Sequence, residues 1–199
     1  MTQDRLAFVG DVHGNAATLT DLILRLPDHL EQVVLLGDYI NRGPDSRKVL
    51  DILVRLATNP RYYFLSGNHE IALLRALDTG DLGAFLIMGG ATTIRSYLPD
   101  SAPPDVLNAL RAAIPEPHFE FLRGLKERYE DKEVIAAHNL RSIPFDGRFR
   151  VAGHTPVGHE PRINSRSALV DTGSGMPNGR LTALLWPSLN YMQRGSKDF

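Results

Sequence analysis

Residues able to hold a metal ion or carry a proton gather where apolar runs stop. Asp11 and His13 follow LAFVG, Asp38 follows VVLLG, Asn68 and His69 follow YYFLSG, His138 ends EVIAAH and His154 ends RFRVAGH. In open α/β sheets, loops converge over the carboxyl ends of the strands and ligands bind there. Seven such groups at five run ends therefore point to one site. Each alone has a plainer reading: Asp11 or Asp38 as a turn residue or helix cap, Asn68 as a cap, His138 as a hydrogen-bonded core histidine. Together, three histidines, two aspartates and an asparagine are the oxygen and nitrogen donors that Mn²⁺, Fe²⁺ or Zn²⁺ accepts. The chain has no cysteine, which excludes thiolate ligands, thiolate nucleophiles and disulfides.

The elements that must position these groups are legible as strand, loop and helix in series. LAFVG (6–10) precedes DVHGN and a stretch with Ala16, Leu19, Ile23 and Leu26 at helical spacing. VVLLG (33–37) precedes DYINRGP and DSRKVLDILVRL, and YYFLSG (62–67) precedes NHE and IALLRAL. Three βα units imply a mostly parallel sheet covered by helices. From about 81 to 130 the pattern predicts an accessory helical segment, punctuated by Gly89, Gly90 and five prolines. EVIAAH, RFRVAGH, SALVDTG and LTALLWP then predict a second, more mixed sheet, and MQRGSKDF (192–199) a loose tail.

At 199 residues the chain suits a single domain, 1–199. Hydrophobic content of 43%, charged content of 23% and a net charge of -1 give no electrostatic reason to expect nucleic acid or an anionic membrane as partner. The opening MTQDRLAFVGD holds an apolar run too short for a signal-peptide core or a membrane span, so a cytoplasmic location is the expectation.

GDVHG (10–14), GDYINRG (37–43), GNHE (67–70), His138 and GHTP (153–156), with LVDTG and GRLTALLW, resemble the ordered motifs of the calcineurin-like metallophosphoesterases. Within them they resemble the phosphoprotein-phosphatase branch, which also includes bacterial symmetrical diadenosine tetraphosphate hydrolases. The resemblance implies an α/β fold of two packed mixed sheets flanked by helices. It also implies two divalent ions per chain, Mn²⁺ first with Fe²⁺ or Zn²⁺ as alternatives. Asp11 and His13 would hold one ion, Asn68, His138 and His154 the other, and Asp38 both. Phosphate esters would be cleaved by a hydroxide shared between the ions. His69 resembles the acid that protonates the leaving oxygen, and Arg42 the clamp on the phosphoryl group. The implied substrate is phosphoserine or phosphothreonine in proteins, with a symmetrical dinucleoside tetraphosphate as the alternative and a non-catalytic phosphate-binding module as a remote third.

Two departures stand out. The family usually has Asp before the clamping arginine, accepting a hydrogen bond from the catalytic histidine; here Asn41 stands there, able to accept through its carbonyl oxygen but bringing no charge. Only fifteen residues, NLRSIPFDGRFRVAG, separate His138 from His154. In many relatives this segment is longer and supplies a second phosphate-binding arginine and part of the substrate groove. Either the chain is naturally shortened or residues are missing from it. About nine residues remain for a connecting loop, too few for a helical lid. Arg141 is the first choice for the second clamp, with Arg148 and Arg150 as competitors, and His29, His118 and His159 read as surface or capping residues.

Overall fold

The computed structural model describes residues 3–99 and 103–195. The first half alternates as its hydrophobic periods require: β1 (Leu6–Val9), α1 (Ala16–Ile23), β2 (Gln32–Leu35), α2 (Ser46–Leu56), β3 (Tyr62–Phe64) and α3 (Asn68–Thr79). Four shorter helices follow: α4 (Gly83–Ile87), α5 (Gly90–Tyr97), α6 (Val106–Ala113) and α7 (Glu116–Gly124). The strands β4 (Arg128–Glu130), β5 (Val134–Ala137), β6 (Phe149–Ala152), β7 (Arg162–Ile163), β8 (Ser167–Leu169), β9 (Asp171–Thr172), β10 (Arg180–Trp186) and β11 (Tyr191–Gly195) complete the chain, with a 3₁₀ turn at Leu140–Ser142.

The first sheet runs β11-β10-β1-β2-β3, with β9 also paired to β10. Its β1, β2 and β3 are parallel, and β10 is antiparallel to β1. The second runs β4-β5-β6-β8-β7, parallel through β5, β6 and β8 and antiparallel at both edges. Alternation along each strand sorts the core into layers. Leu6, Phe8, Val34 and Leu36 meet Val134, Ala136, Val151 and Ala168 between the sheets. Ala7, Val9, Val33 and Leu35 face the other way, where all seven described α-helices pack, through side chains such as Leu19, Leu50, Leu73, Phe85, Tyr97, Leu110 and Leu122. The outer face of the second sheet is narrower in apolar area. Ile135, Ala137 and Ala152 are covered there by Ile143 and Leu140 of the 139–148 connection.

Three strand readings need correction. LTALLWP joins the first sheet, not the second, pairing Leu6 with Trp186 and Val9 with Ala183. It is apolar on both faces, with Leu181 and Ala183 toward the helices and Leu184 between the sheets, so alternation does not say which sheet takes it. SALVDTG divides between the sheets, as β8 in the second and β9 in the first. The expected loose tail begins as β11, with Ala183 opposite Met192; residues 196–199 lie outside the described residues. Among the described residues, no helix is long and apolar enough to cross a membrane.

Candidate functional site

The loops after β1 and β2 are bonded to each other. Val12 and His13 both donate their N–H to Asp38 O at 3.0 and 2.9 Å, and Gly14 donates to Tyr39 O at 2.8 Å. His13, Asp38, Asn41, Arg42 and His154 have φ of 47, 53, 71, 59 and 64°, the left-handed region that costs a non-glycine residue ~1 kcal/mol or more. Such a loop needs an anchor, and Glu70 provides one. Its buried carboxylate accepts the N–H of Asp38 (2.9 Å), Tyr39 (2.8 Å), Ile40 (3.3 Å) and Gly67 (3.0 Å), tying the β2 loop to the start of α3. Burial, then the Asp38 charge, push this carboxyl up to about 7. Glycine is required at position 67, since a Cβ there would collide with the Asp38 carboxylate. Sequence reasoning missed Glu70, although its place three residues after Gly67 at a helix start was the available signal.

Asp38 stands at the middle of the site. Its Oδ2 lies 3.3 Å from His138 Nε2, 3.7 Å from His69 Nε2 and 3.8 Å from His13 Nε2, while Oδ1 accepts the His69 N–H at 3.2 Å. Asp11 Oδ2 is 3.8 Å from His13 Nε2, and both its oxygens face the His154 N–H, at 3.1 and 3.2 Å. Asn68 Oδ1 lies 2.9 Å from His138 Nε2 and 2.8 Å from His154 Nδ1. The fold thus brings Asp11, His13, Asp38, Asn68, His138 and His154 together from five loops. Donor atoms of His13, Asp38 and His69 lie within 4.8 Å of one another, and so do those of Asp38, His138 and His154.

These residues fit a cation. His13 Nδ1 faces Ile40 O at 3.1 Å and His138 Nδ1 faces Leu36 O at 2.9 Å, so each donates from Nδ1 and turns Nε2 inward. His13 Nε2 is buried without a hydrogen-bond partner among the described residues. Burial takes His13 down to about 3, leaving it a neutral donor. Burial, then Asp171 and Asp38, push Asp11 well above the usual carboxylate range. Burial also opposes charge on Asp38 and His138, yet their contact wins: Asp38 is held below its ordinary value and His138 rises to about 9. Positive charge is what this cluster calls for.

Asn41 is oriented differently from the expectation. Its Nδ2, not its oxygen, meets His69 Nδ1 at 2.7 Å and also donates to Met88 O at 3.3 Å, while Oδ1 accepts from Thr93 Oγ1 at 2.7 Å. Only this amide orientation satisfies all three partners. His69 Nδ1 is therefore an acceptor, its proton sits on Nε2 toward Asp38, and burial first, with Arg42 among further causes, lowers its pKa. Thr93 and Met88 belong to the accessory helices and their corner, so that segment reaches the site, which sequence did not reveal. Arg42 is half-buried, and its charge disfavours protonation of His13, His69 and His154.

Arg141 is exposed on the 3₁₀ turn, its N–H bonded to Asn139 Oδ1 at 2.9 Å. It does not line the cavity of about 310 Å³ beside the centre, whose walls include Ser66, Asn68, Ile71, Arg128, His138 and Asn139. Arg148 is committed to Asp146 and Glu130, and Arg150 lies 4.9 Å over the Phe145 ring. His118 is not a surface residue: it is buried between Tyr97 Oη (2.7 Å) and Asp51 Oδ1 (3.1 Å), joining α7 to α5 and α2. His29 and His159 are exposed.

The model of the calcineurin-like phosphoesterase family matches residues 4–167. The chain belongs to that family. The bis(5'-nucleosyl)-tetraphosphatase PrpE [asymmetrical] of Oceanobacillus iheyensis is 32% identical over 241 aligned positions, covering 98% of this chain and 93% of that one. That alignment is longer than this phosphoesterase itself, so the relative carries segments this chain lacks. Serine/threonine-protein phosphatase 2 of Escherichia coli is 38% identical over 84 residues, 41% of this chain and 37% of that one. A metallophosphoesterase from Sphaerobacter thermophilus shares the fold, with TM-score 0.60 at 17% identity over 98% of this chain and 89% of that one.

Proposed function

We propose that this phosphoesterase is a metal-dependent hydrolase of phosphate esters and anhydrides, with Asp11, His13 and Asp38 at one cation site and Asp38, Asn68, His138 and His154 at the other. The observation that carries the reading is the position of Asp38 within both donor groups. Two divalent cations, Mn²⁺ first, supply when bound a nucleophilic water near neutral pH and screen the charge of the phosphoryl group. Arg42 binds phosphoryl oxygens through its planar fork and meets the charge that develops on them. His69 presents its Nε2–H to the leaving oxygen. Asn41 fixes that tautomer without a negative charge to stabilise an imidazolium, so leaving groups that need a full proton should react slowly.

We read residues 1–199 as one domain, cytoplasmic, whose helices α4–α7 form an accessory segment. Dinucleoside polyphosphates are the first substrate reading, supported by the relative aligned over nearly the whole of both chains, a tetraphosphatase by name. Phosphoserine or phosphothreonine in proteins, the first expectation from sequence, becomes the second, supported by the 84-residue match to a protein phosphatase. The test is hydrolysis of diadenosine tetraphosphate, a phosphopeptide and para-nitrophenyl phosphate with Mn²⁺, alongside metal analysis. Faster kcat/KM on the tetraphosphate is expected. Two bound ions with no turnover of any substrate would leave a phosphate-binding module instead.

A further inference from the structure

The centre has a second flank, on the side of Arg42. A cavity of about 410 Å³ lies there between the β2–α2 loop and α5, lined by Arg42, Pro44, Thr92, Arg95, Ser96 and Pro99. Among the described residues no acid lines it. The hydroxyls of Thr92 and Ser96 already donate to Gly89 O (3.0 Å) and Thr93 O (2.7 Å), so Arg42 and Arg95 are the lining residues left to donate to a ligand. Arg25, Lys48 and Arg123 pair with Asp21, Asp45 and Asp78, whereas neither Arg42 nor Arg95 makes an ion pair among the described residues. Two arginines that line one concave space and make no ion pair among the described residues attract an anion there.

The placement of Arg95 is fixed by the active site itself. Thr93 is buried, and its Oγ1 accepts the Asn41 N–H at 2.9 Å and donates to Asn41 Oδ1 at 2.7 Å, which locks α5 against the β2 loop. Thr92, Arg95 and Ser96 then share the adjacent helix face at i, i+3 and i+4 spacing. The corner before α5 is also close: a Cβ at Gly89 would lie 3.6 Å from the Arg42 backbone nitrogen. Arg47, the next cation along, is drawn over the Tyr97 ring at 5.8 Å and adds positive potential to the same side.

We infer that this cavity is a second phosphate subsite, in which Arg95 receives the phosphate next to the one held by Arg42 at the centre, so that the chain favours substrates with two or more anhydride-linked phosphates. The inference rests on the hydrolase reading above and specifies its substrate class. Arg42 lines the cavity and its charge acts on His13, His69 and His154 at the centre, so an anion held here adjoins the one at the centre. Phosphates that share a bridging oxygen meet that condition, whereas two phosphorylated side chains on a peptide are separated by at least a residue of backbone. Hydrolysis adds water across one P–O–P link: the water oxygen joins the phosphorus at the centre, and the bridging oxygen leaves on the remaining chain, with the displaced proton going to that chain or to solvent.

The experiment compares kcat/KM for inorganic tripolyphosphate and diadenosine tetraphosphate with that for para-nitrophenyl phosphate, in the full chain with Mn²⁺, for the unaltered protein, Arg95→Ala, Arg95→Glu and the remote Arg123→Ala. Arg95→Ala should lower the polyphosphate-to-monoester ratio on the order of 10 to 100-fold, the weight of one charged hydrogen-bonding group, and Arg95→Glu should lower it further. Arg123→Ala should leave the ratio where it is. An unchanged ratio in both Arg95 variants overturns the subsite. If the unaltered protein hydrolyses no phosphate compound, the hydrolase reading fails separately. The subsite is then judged by calorimetric binding of tripolyphosphate, and an affinity that Arg95→Ala does not weaken overturns it.

Discussion

The two sides of the centre are built differently. Asp11, His13 and Asp38 rise from β1 and β2 in the middle of the first sheet, and none is more than 2% exposed. Asn68 and His154, with His138 between them, stand at the seam of the two sheets; the first two are only half-buried, and all three line the cavity shared with Ser66, Ile71 and Arg128. The first side is cross-bonded loop to loop and anchored by Glu70. On the second, His138 and His154 bracket a fifteen-residue connection with a single 3₁₀ turn. In the proposed reading one side retains its cation and the other also admits the substrate, and Asp38 belongs to both.

Asp38→Asn should break both sides together. Activity should fall by more than the roughly 10 to 100-fold typical of losing an outer-sphere partner, with Mn²⁺ content dropping toward zero in elemental analysis. Retention of two ions per chain would show that Asp38 is not shared. The asymmetry itself is tested by release of Mn²⁺ to a chelator: two phases are expected, and His154→Asn should abolish the fast one while Asp11→Asn abolishes the slow one. A single phase in the unaltered protein would erase the distinction between sealed and open sides.

Glu70→Gln tests the anchor. All four of its partners are N–H donors, so an amide would turn its own NH₂ against two of them, at ~1–3 kcal/mol per unsatisfied group. A lower Tm without metal and about 10 to 100-fold weaker Mn²⁺ binding are expected; an unchanged metal affinity would reduce Glu70 to a packing residue. Asn41→Asp should have a smaller effect confined to pH. Where Asn41 donates to His69 Nδ1, aspartate would accept from it and raise a pKa that burial has lowered, so the alkaline limb of the rate profile should move upward, most for poor leaving groups. An unmoved limb would remove Asn41 from control of the tautomer. Arg141→Ala should do least, within about 2-fold on any ester, because an exposed arginine outside the cavity wall has little to lose. A loss of 10-fold or more would return it to the phosphate site.

Much of this protein was legible because strand ends announce themselves. LAFVG, VVLLG and YYFLSG stop at Asp11, Asp38 and Asn68, and the helices after them follow from 3.6-residue periodicity, so the parallel core of the first sheet and the residues over its carboxyl edge could be read without coordinates. What tertiary structure decided is of another kind. The destination of LTALLWP depends on which edge of which sheet is free, and a strand apolar on both faces carries no such information. The burial of His118 depends on Tyr97 and Asp51, 21 and 67 residues away in sequence. Asn41 offers its nitrogen rather than its oxygen to His69 because Thr93 of α5 and Met88 of the corner before it, far along the chain, occupy the other hydrogen-bonding positions of the amide. Local sequence determines which chemical groups a loop presents, whereas the proton-bearing direction of each group is set by partners that only folding brings within 3 Å or so.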